Sequence, residues 1–164
     1  MKTYPTSLDK LAKMITLFVT VLFLAIIIGQ FFMSGTAPED KLILVFVSFS
    51  LVLTYALCYL FRPIEYQLTD SQLIIHRLLK DVAIERSDIA DIRLLAPEQL
   101  SGSIRTFGVG GLFGYFGKFS NPKLGSMTWY ATRRDNAILV TTNDNKRLLL
   151  TPDEPTLLFN DYKS

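Results

Sequence analysis

The sequence predicts a two-helix transmembrane hairpin followed by one mainly-β domain of about seven strands with a short C-terminal helix. Two apolar runs, residues 14–33 and 42–61, are each close to the roughly 20 residues that cross a hydrocarbon core, and neither carries a formal charge. From residue 62 onward apolar and polar residues alternate, which is typical of half-buried strands. In a chain of 164 residues this leaves room for one small domain after the hairpin.

Composition excludes several classes of protein. The mean hydropathy is +0.30, and the excess of apolar residues is concentrated in the two runs. A formal charge of +2 is too small for the basic surface of a nucleic-acid-binding protein, so no nucleic-acid partner is expected. The single cysteine, Cys58, lies inside the second run, so the chain has no internal disulfide, and we expect neither a metal site nor a cofactor.

Cations beside the apolar runs predict the orientation of the hairpin. The tail of residues 1–13 carries Lys2, Lys10 and Lys13, and the second run leads into Arg62, whereas the connecting loop SGTAPEDK contains Lys41 alone. By the positive-inside rule, both termini and the domain at 62–164 are expected in the cytoplasm, with the loop outside. Neither run contains an ionisable residue of the kind that lines an ion pathway, so the hairpin is interpreted as an anchor.

A cleaved signal peptide is the alternative interpretation of the first run. The apolar region of a signal peptide is typically about 7–15 residues long, and residues 14–33 exceed that range and are followed by a second span. The small residues Ser34–Ala37 are the candidate cleavage site. The two-span anchor is therefore the favoured prediction.

The strands are predicted in order from polar turns and from alternation of side-chain type. They lie at about 63–70, 72–79, 82–86, 87–96, 127–134, 137–142 and 147–151. Residues 98–121 are the least regular part, and Pro97 ends the strand before them. With Asp153 as N-cap, Pro155 falls in the first helical turn, where its missing N–H is not needed, so a short helix is expected from about Glu154.

Neither catalysis nor nucleotide binding is indicated by the motifs. The single histidine, His76, lies in a strand-like context and has no nucleophile motif to serve, so no catalytic residue is assigned. In the glycine-rich segment, a GxGxxG motif would need glycine at the position of Phe113, and no P-loop lysine follows.

The glycine- and aromatic-rich segment RTFGVGGLFGYFGKF is the main candidate site, and it has two interpretations. In one, Phe107, Phe113 and Phe116 fill the domain core while the glycines allow close backbone packing. In the other, Phe113, Tyr115, Phe116 and Phe119 contact a protein partner or the bilayer interface, where aromatic side chains are enriched. The core interpretation is favoured.

A second candidate site is basic. Arg133 and Arg134 precede Asp135 at a predicted hairpin end, which is interpreted as a solvated turn. Together with Lys118 and Lys123 they would alternatively form a patch facing anionic lipid, worth about 1 kcal/mol per cation near the surface.

Three stretches resemble the bacterial PH (pleckstrin-homology-like) domain families found in small membrane proteins. They are GLFGYFGKF at Gly111–Phe119, WYATRRDNAILVTT at Trp129–Thr142 and LLLTPDEP at Leu148–Pro155. The resemblance implies a PH-like barrel or sandwich over residues 62–164. Because such families often carry one or two transmembrane helices before this domain, it also implies residence in the bacterial inner membrane.

What the resemblance implies for function is a non-enzymatic binding or assembly module, with the lipid bilayer and either a protein partner or a second copy as its contacts. A sensor of anionic lipid headgroups is the alternative, and a small enzyme is a third, less favoured hypothesis. Phosphoinositide binding is not implied, because the turns of the first hairpins at 69–72 and 79–82 hold only Lys80 beside Asp81.

Overall fold

The computed structural model describes residues 1–33 and 38–164. Two helices open the chain, α1 at Lys10–Met33 and α2 at Pro38–Leu60. Both are long and apolar enough to cross a membrane, and almost none of their side chains are buried within the chain. The candidate cleavage site at Ser34–Ala37 and the tip of the connecting loop lie outside the described residues.

Helix α1 begins earlier than the apolar run because Asp9 caps it. The Ala12 N–H donates to Asp9 Oδ1 at 2.6 Å, and the Lys13 N–H donates to the Asp9 carbonyl at 3.0 Å. Further along, the hydroxyls of Thr20 and Tyr55 lie 2.8 Å apart and join the two helices. The helices therefore pack as a hairpin that starts from a defined cap.

The domain contains two sheets. The first has four antiparallel strands in the order β1-β2-β3-β4: β1 at Lys2–Pro5, β2 at Pro63–Leu68, β3 at Gln72–Arg77 and β4 at Val82–Glu85. A 3₁₀ turn at Arg86–Asp88 leads from β4 into the second sheet.

The second sheet has six strands in the order β5-β9-β10-β8-β7-β6. They are β5 at Ile89–Leu95, β6 at Ile104–Gly111, β7 at Gly114–Asn121, β8 at Gly125–Ala131, β9 at Ala137–Thr142 and β10 at Arg147–Leu150. Neighbours are antiparallel except for the parallel pair of β8 and β10. A short helix, α3 at Pro97–Leu100, joins β5 to β6, and α4 at Pro155–Lys163 ends the chain.

The central part of the six-stranded sheet is buried on both faces, as the side chains of β9 show. Ile138 and Val140 point into a cluster shared with the four-stranded sheet and with Leu158 of α4. Ala137 and Leu139 point to the opposite face, into a second cluster that includes Trp129 and Ala12 of α1. Since full burial of one large apolar side chain is worth about 1.5–3 kcal/mol, these two clusters stabilise the fold.

The predicted fold class is confirmed: two long apolar helices precede a mainly-β domain of two sheets with a C-terminal helix. All seven predicted strands are present, and the structure adds β1, β6 and β7. Residues 98–121, predicted to be irregular, contain the whole of the β6–β7 hairpin. The cap of α4 is Glu154 and not Asp153, because the Asp153 carboxylate accepts hydrogen bonds from Ser7 and Arg133.

Strand β1 changes the interpretation of the N-terminal tail. Lys2 pairs with Leu68 and Pro5 pairs with Glu65, so the residues before α1 and after α2 are neighbours in one sheet. The first residues of the tail therefore belong to the domain. The N-terminal end of α1 and the C-terminal end of α2 lie at the same end of the hairpin.

Candidate functional site at the helix–domain junction

The β6–β7 hairpin bends sharply at a pair of facing glycines. Gly108 and Gly117 are register partners with φ angles of 109° and 118°, and a β-carbon on Gly117 would lie 2.8 Å from Gly108 Cα. Past this corner, the Arg105 side chain lies 3.4 Å from the place of a β-carbon on Gly110. Since five residues of straight strand span about 17 Å, β6 must bend to allow this contact.

Beyond the corner, the hairpin turn packs against both helices. The Phe113 N–H donates to Thr16 Oγ1 of α1 at 2.9 Å. The Phe113 ring makes edge contacts with two α2 rings, with centroids 4.9 Å from Tyr55 and 5.2 Å from Tyr59. We call these residues, together with Arg62, the junction. The turn thereby connects the domain to both helices at once.

Arg62 lies in the junction with its charge unmatched. Its guanidinium carbon is 4.4 Å from the centroid of the Tyr59 ring and 6.0 Å from that of Phe113. Its Nε is buried and has no hydrogen-bond partner within the described chain. Cation–π contacts favour the cation here, yet they supply no anion. Among the described residues no carboxylate pairs with this positive charge, which lies directly after α2.

The segment between β1 and α1 forms a second connection. Thr6 Oγ1 lies 2.5 Å from Thr132 Oγ1, and the Asp9 N–H donates to the Thr132 carbonyl at 3.3 Å. The Tyr115 hydroxyl donates to Asp9 Oδ1 at 3.2 Å. Burial, with the nearby Asp9 carboxylate, raises the pKa of Tyr115 to about 12, so the phenol stays a donor at neutral pH. This segment fixes the start of α1 to the domain.

The four aromatic contact candidates are all buried. Tyr115 and Phe119 belong to the second core cluster, and the Phe119 ring stacks on Trp129 with centroids 4.2 Å apart. Phe116 is also buried, and Phe113 packs on the helices as described. Of the four, Phe113 alone contacts the helices through its ring among the described contacts, and none presents a surface to solvent.

The position of Phe107 contradicts the core interpretation. Its side chain is 77% exposed on β6, which is the terminal strand of the six-stranded sheet. The core placement of Phe107 is therefore wrong, because no part of the described chain covers the first five residues of β6. The sequence does carry an indication of the bend, namely the glycine directly after Phe107.

The four basic candidates do not form one surface. Lys123 lies in the turn that joins β7 to β8, whereas Arg134 follows the other end of β8, where its guanidinium covers the Tyr115 ring at 4.8 Å. Lys118 lies between them and donates to Thr128 Oγ1 at 2.9 Å.

Arg133 is compensated within the chain. Its guanidinium forms ion pairs with Asp135 at 2.5 Å and with Asp153 at 2.9 Å. Hydrogen bonding to Asp135 raises the pKa of Arg133, so it remains charged and paired. A residue whose charge already meets two carboxylates contributes little to attraction of an external anion.

The β3–β4 turn lies beside the end of α2, which the sequence did not predict. The Leu79 N–H donates to the carbonyl of Leu60, the last residue of α2, at 3.2 Å. Strand β3 ends at Arg77 because Asp81 accepts both the Arg77 N–H at 3.0 Å and His76 Nδ1 at 2.8 Å. The first of these bonds is the main cause of the lowered pKa of Asp81.

A groove runs along β4 and is the largest of the described cavities, with a volume of about 660 Å³. One wall is β4 itself, and the other comes from β7, β8 and β10 of the second sheet. Its apolar part includes Tyr130 and Leu148, and its charged part includes Glu85, Lys118 and Asp144. The groove therefore presents apolar surface with charges of both signs.

Comparison with known proteins identifies the domain. Residues 64–164 match the family described as bacterial PH domain. No curated protein and no solved structure matches the chain. The matched range covers more than half of the chain and includes every strand from β3 to β10 as well as α4. The chain therefore belongs to the bacterial PH domain family.

Proposed function

We propose that this chain is a non-enzymatic, membrane-anchored module that binds an extended segment of a partner protein at one face of the membrane. Its two helices span the bilayer and its PH-like domain carries the binding groove. The observation that supports binding is the groove along β4, because it combines an open strand edge with a recess of about 660 Å³.

Strand β4 is the part of the groove suited to a peptide. It is the terminal strand of the four-stranded sheet, so its outer edge has no strand partner in the described chain. An extended peptide can add to such an edge through main-chain hydrogen bonds, while neighbouring pockets select its side chains. Tyr130 and Leu148 offer apolar pockets beside that edge, and charges of both signs favour a peptide over a uniformly anionic ligand.

The attachment of the domain to both helices supports a role at the membrane surface. Between α2 and β2 only Phe61 and Arg62 intervene, and the Phe113 contacts hold the hairpin turn against both helices. A domain attached at several points keeps its groove at a fixed height and orientation relative to the bilayer. A partner would thus be presented in a defined geometry, which suits an assembly module.

The cytoplasmic face is the proposed side. Lys10 and Lys13 precede the apolar part of α1, and Arg62 follows α2, whereas the other end of the hairpin has Lys41 as its cation. The positive-inside rule places the cation-rich end in the cytoplasm. Protease added outside intact cells should leave the domain uncut, and its removal would contradict this orientation.

Photo-crosslinking in membranes tests the groove. The full chain carries a photoreactive residue at Ala83 on β4, and the matched control carries it at Ala90 on β5, an exposed alanine outside the groove. We expect a discrete crosslinked product from position 83 and none from position 90. Two copies with different tags separate the outcomes: a product carrying both tags indicates self-association, and one carrying a single tag indicates another protein. Equal products from both positions would contradict binding in the groove.

A further inference from the structure

We propose that the partner segment bound along β4 also covers Ile104 and Phe107 of β6, and that it carries an acidic residue facing Lys118 of β7. This inference rests on the proposed function, because it extends the β4 groove and names the chemistry of the segment that fills it. We call Ile104, Phe107 and Lys118 the β6–β7 patch.

The register of the second sheet places the β6–β7 patch on the face that lines the groove. Lys118 and Thr128 both line the groove and are register partners on β7 and β8. On the other side of β7, Phe107 is the register partner of Lys118, and Ile104 is that of Ser120. Because opposed residues of an antiparallel pair point to the same face, Phe107 lies next to Lys118 in this row, about 5 Å further from β8. The floor of the groove therefore continues onto β6.

A bulge in β6 brings both apolar residues to this face. In a regular strand, residues three apart such as Ile104 and Phe107 would point to opposite faces. The register shifts between Arg105 and Phe107, so Thr106 is the additional residue of a β-bulge. The Thr106 hydroxyl donates to the Lys118 carbonyl at 3.1 Å. The bulge thereby directs two apolar side chains toward the groove face, where a strand without it would present one.

Neither apolar side chain is covered by the described chain. Ile104 is 65% exposed and Phe107 is 77% exposed. They lie on β6, the terminal strand of the six-stranded sheet, beside the apolar part of the groove that includes Tyr130. Exposed apolar residues that adjoin a recess and an open strand edge indicate a surface that another chain covers.

The charges of the two walls differ in sign. Residues 104–131, which form β6, β7, β8 and their turns, contain cations but no carboxylate. Lys118 has no carboxylate partner among the described residues, and its ammonium donates at 2.9 Å to a β8 hydroxyl that lines the groove. The β4 wall carries Glu85, while Asp144 is paired with Lys146 at 2.6 Å. A segment that fills the groove therefore meets a positive charge on its β7 side, which an acidic residue complements.

A protein segment, and not the bilayer, is the occupant that this placement favours. The hairpin bends at Gly108 and Gly117, and the part beyond this corner contacts the helices through Phe113. Ile104 and Phe107 precede the corner and share their face with the groove. A groove with an acidic wall and a basic wall complements a segment whose charge varies along its length, whereas a lipid surface offers one sign of charge.

The first experiment tests whether one segment covers both the groove and the β6–β7 patch. The full chain in membranes carries a photoreactive residue at Ala83 in the groove or at Phe107 in the patch. The matched control carries it at Arg105, an exposed residue of the same strand whose register partner, Phe119, points to the opposite face. We expect positions 83 and 107 to crosslink to the same stretch of one polypeptide, identified by mass spectrometry, and position 105 to give no product.

The other outcomes separate the two proposals. A product at 83 without one at 107, or equal products at 105 and 107, would overturn the patch and leave binding in the groove intact. Absence of a product at 83 would overturn the proposed function, and this inference with it. A product at 107 with the added mass of one phospholipid would assign the patch to the bilayer, and a product carrying the tags of two copies would assign it to self-association. Either result would overturn the inference.

The second experiment tests for the acidic residue. A carbodiimide joins an amine directly to a carboxylate, so treatment of the same membranes should link Lys118 Nζ to an Asp or Glu of the polypeptide found by photo-crosslinking. Lys118→Arg keeps the charge but has no reactive amine, so it should lose this product and retain the photoproduct from position 83. Lys123→Arg is the matched control, an exposed lysine in the β7–β8 turn, and it should retain both products.

Reversal of the charge at position 118 measures what the pair contributes. Lys118→Glu should lower the photoproduct yield from position 83 by about fivefold or more, since an exposed ion pair of ordinary strength is lost and like charges are opposed. Lys123→Glu should leave that yield unchanged. A photoproduct at 107 without a carbodiimide product at Lys118, or an unchanged yield in Lys118→Glu, would overturn the acidic residue of the segment.

Discussion

Phe113 and Phe119 lie on the same hairpin and are both buried, yet they serve different parts of the molecule. Phe119 stacks on Trp129 inside the domain, with ring centroids 4.2 Å apart. Phe113 leaves the domain and meets the rings of Tyr55 and Tyr59 on α2. Burial alone therefore does not separate a core residue from a contact residue. What separates them is the identity of the neighbour.

The largest effect is expected at Phe119. Phe119→Ala should lower the free energy of unfolding of the domain by about 3–5 kcal/mol, because it removes a fully buried ring and leaves a cavity beside Trp129. Urea titration of the full chain in detergent, followed by the fluorescence of the single tryptophan, measures this.

Phe107→Ala is the control for that measurement. Its side chain is exposed on the same hairpin, so its removal should change the free energy of unfolding by no more than about 0.5 kcal/mol. Similar losses for the two variants would contradict the division of the hairpin into a core part and an exposed part.

The next effect concerns the glycine corner that separates the two aromatic residues. Gly117→Ala should cost about 1–3 kcal/mol or more, since the new β-carbon would meet the Gly108 backbone and the residue would keep a φ of 118°. Gly110→Ala is the matched control, because its β-carbon would meet only the flexible Arg105 side chain, at 3.4 Å or more. The same urea titration compares them, and equal stability of the two variants would argue against the corner.

A smaller effect is expected at Phe113. Its removal should weaken the coupling between the domain and α2 and leave the stability of the domain itself nearly unchanged. Phe113→Ala removes two edge contacts worth about 0.5–1.5 kcal/mol each. Amide hydrogen exchange at residues 111–114 should become faster, while the urea midpoint of the domain changes little. A double-mutant cycle with Tyr59→Leu isolates the pair, and an interaction free energy of zero would show that the ring contact does not connect the domain to α2.

The smallest effect is expected far from the junction, where Asp161 accepts hydrogen bonds from Lys2 and Tyr4 at 2.6 Å each. The Lys2 bond is the main cause of the lowered pKa of Asp161. A lowered pKa in the folded state gives stability at neutral pH that is lost as the pH falls below the ordinary value of 3.8. Asp161→Asn should therefore make the free energy of unfolding fall less between neutral and acidic pH. Urea titrations across that range measure this, and an unchanged pH dependence would contradict the prediction.

Seven strands and the helical hairpin follow from residue pattern because each is a local signal. Alternation along β2, the short apolar run of β9 and the long apolar runs of the two helices are visible without knowledge of neighbours. Strand β1 has no such signal, since four residues form a strand only through pairing with β2. Strands β6 and β7 were missed because glycine in a strand usually indicates a break, whereas here facing glycines allow a bend.

The candidate site was less predictable than the fold. The sequence drew attention to the aromatic residues of the hairpin, but it gave no way to assign Phe113 to the helices and Phe119 to the core. It also joined four cations by proximity in the chain, whereas the β7–β8 ladder separates Lys123 from Arg134. The β3–β4 turn and the end of α2 come together only through the fold, as the Leu79–Leu60 hydrogen bond shows.

The pairing of β1 with β2 has a consequence for the order in which the protein assembles. Strand β1 leaves the ribosome before either helix, but its partner follows α2, so the first sheet cannot close until both apolar segments have been made. The contacts of Thr6 and Asp9 form later still, because both residues bind Thr132, which is made after β8. If both helices span the bilayer as proposed, folding of the domain is a late event, because a chain with one helix left out of the bilayer would hold β1 and β2 on opposite sides and could not complete its sheet.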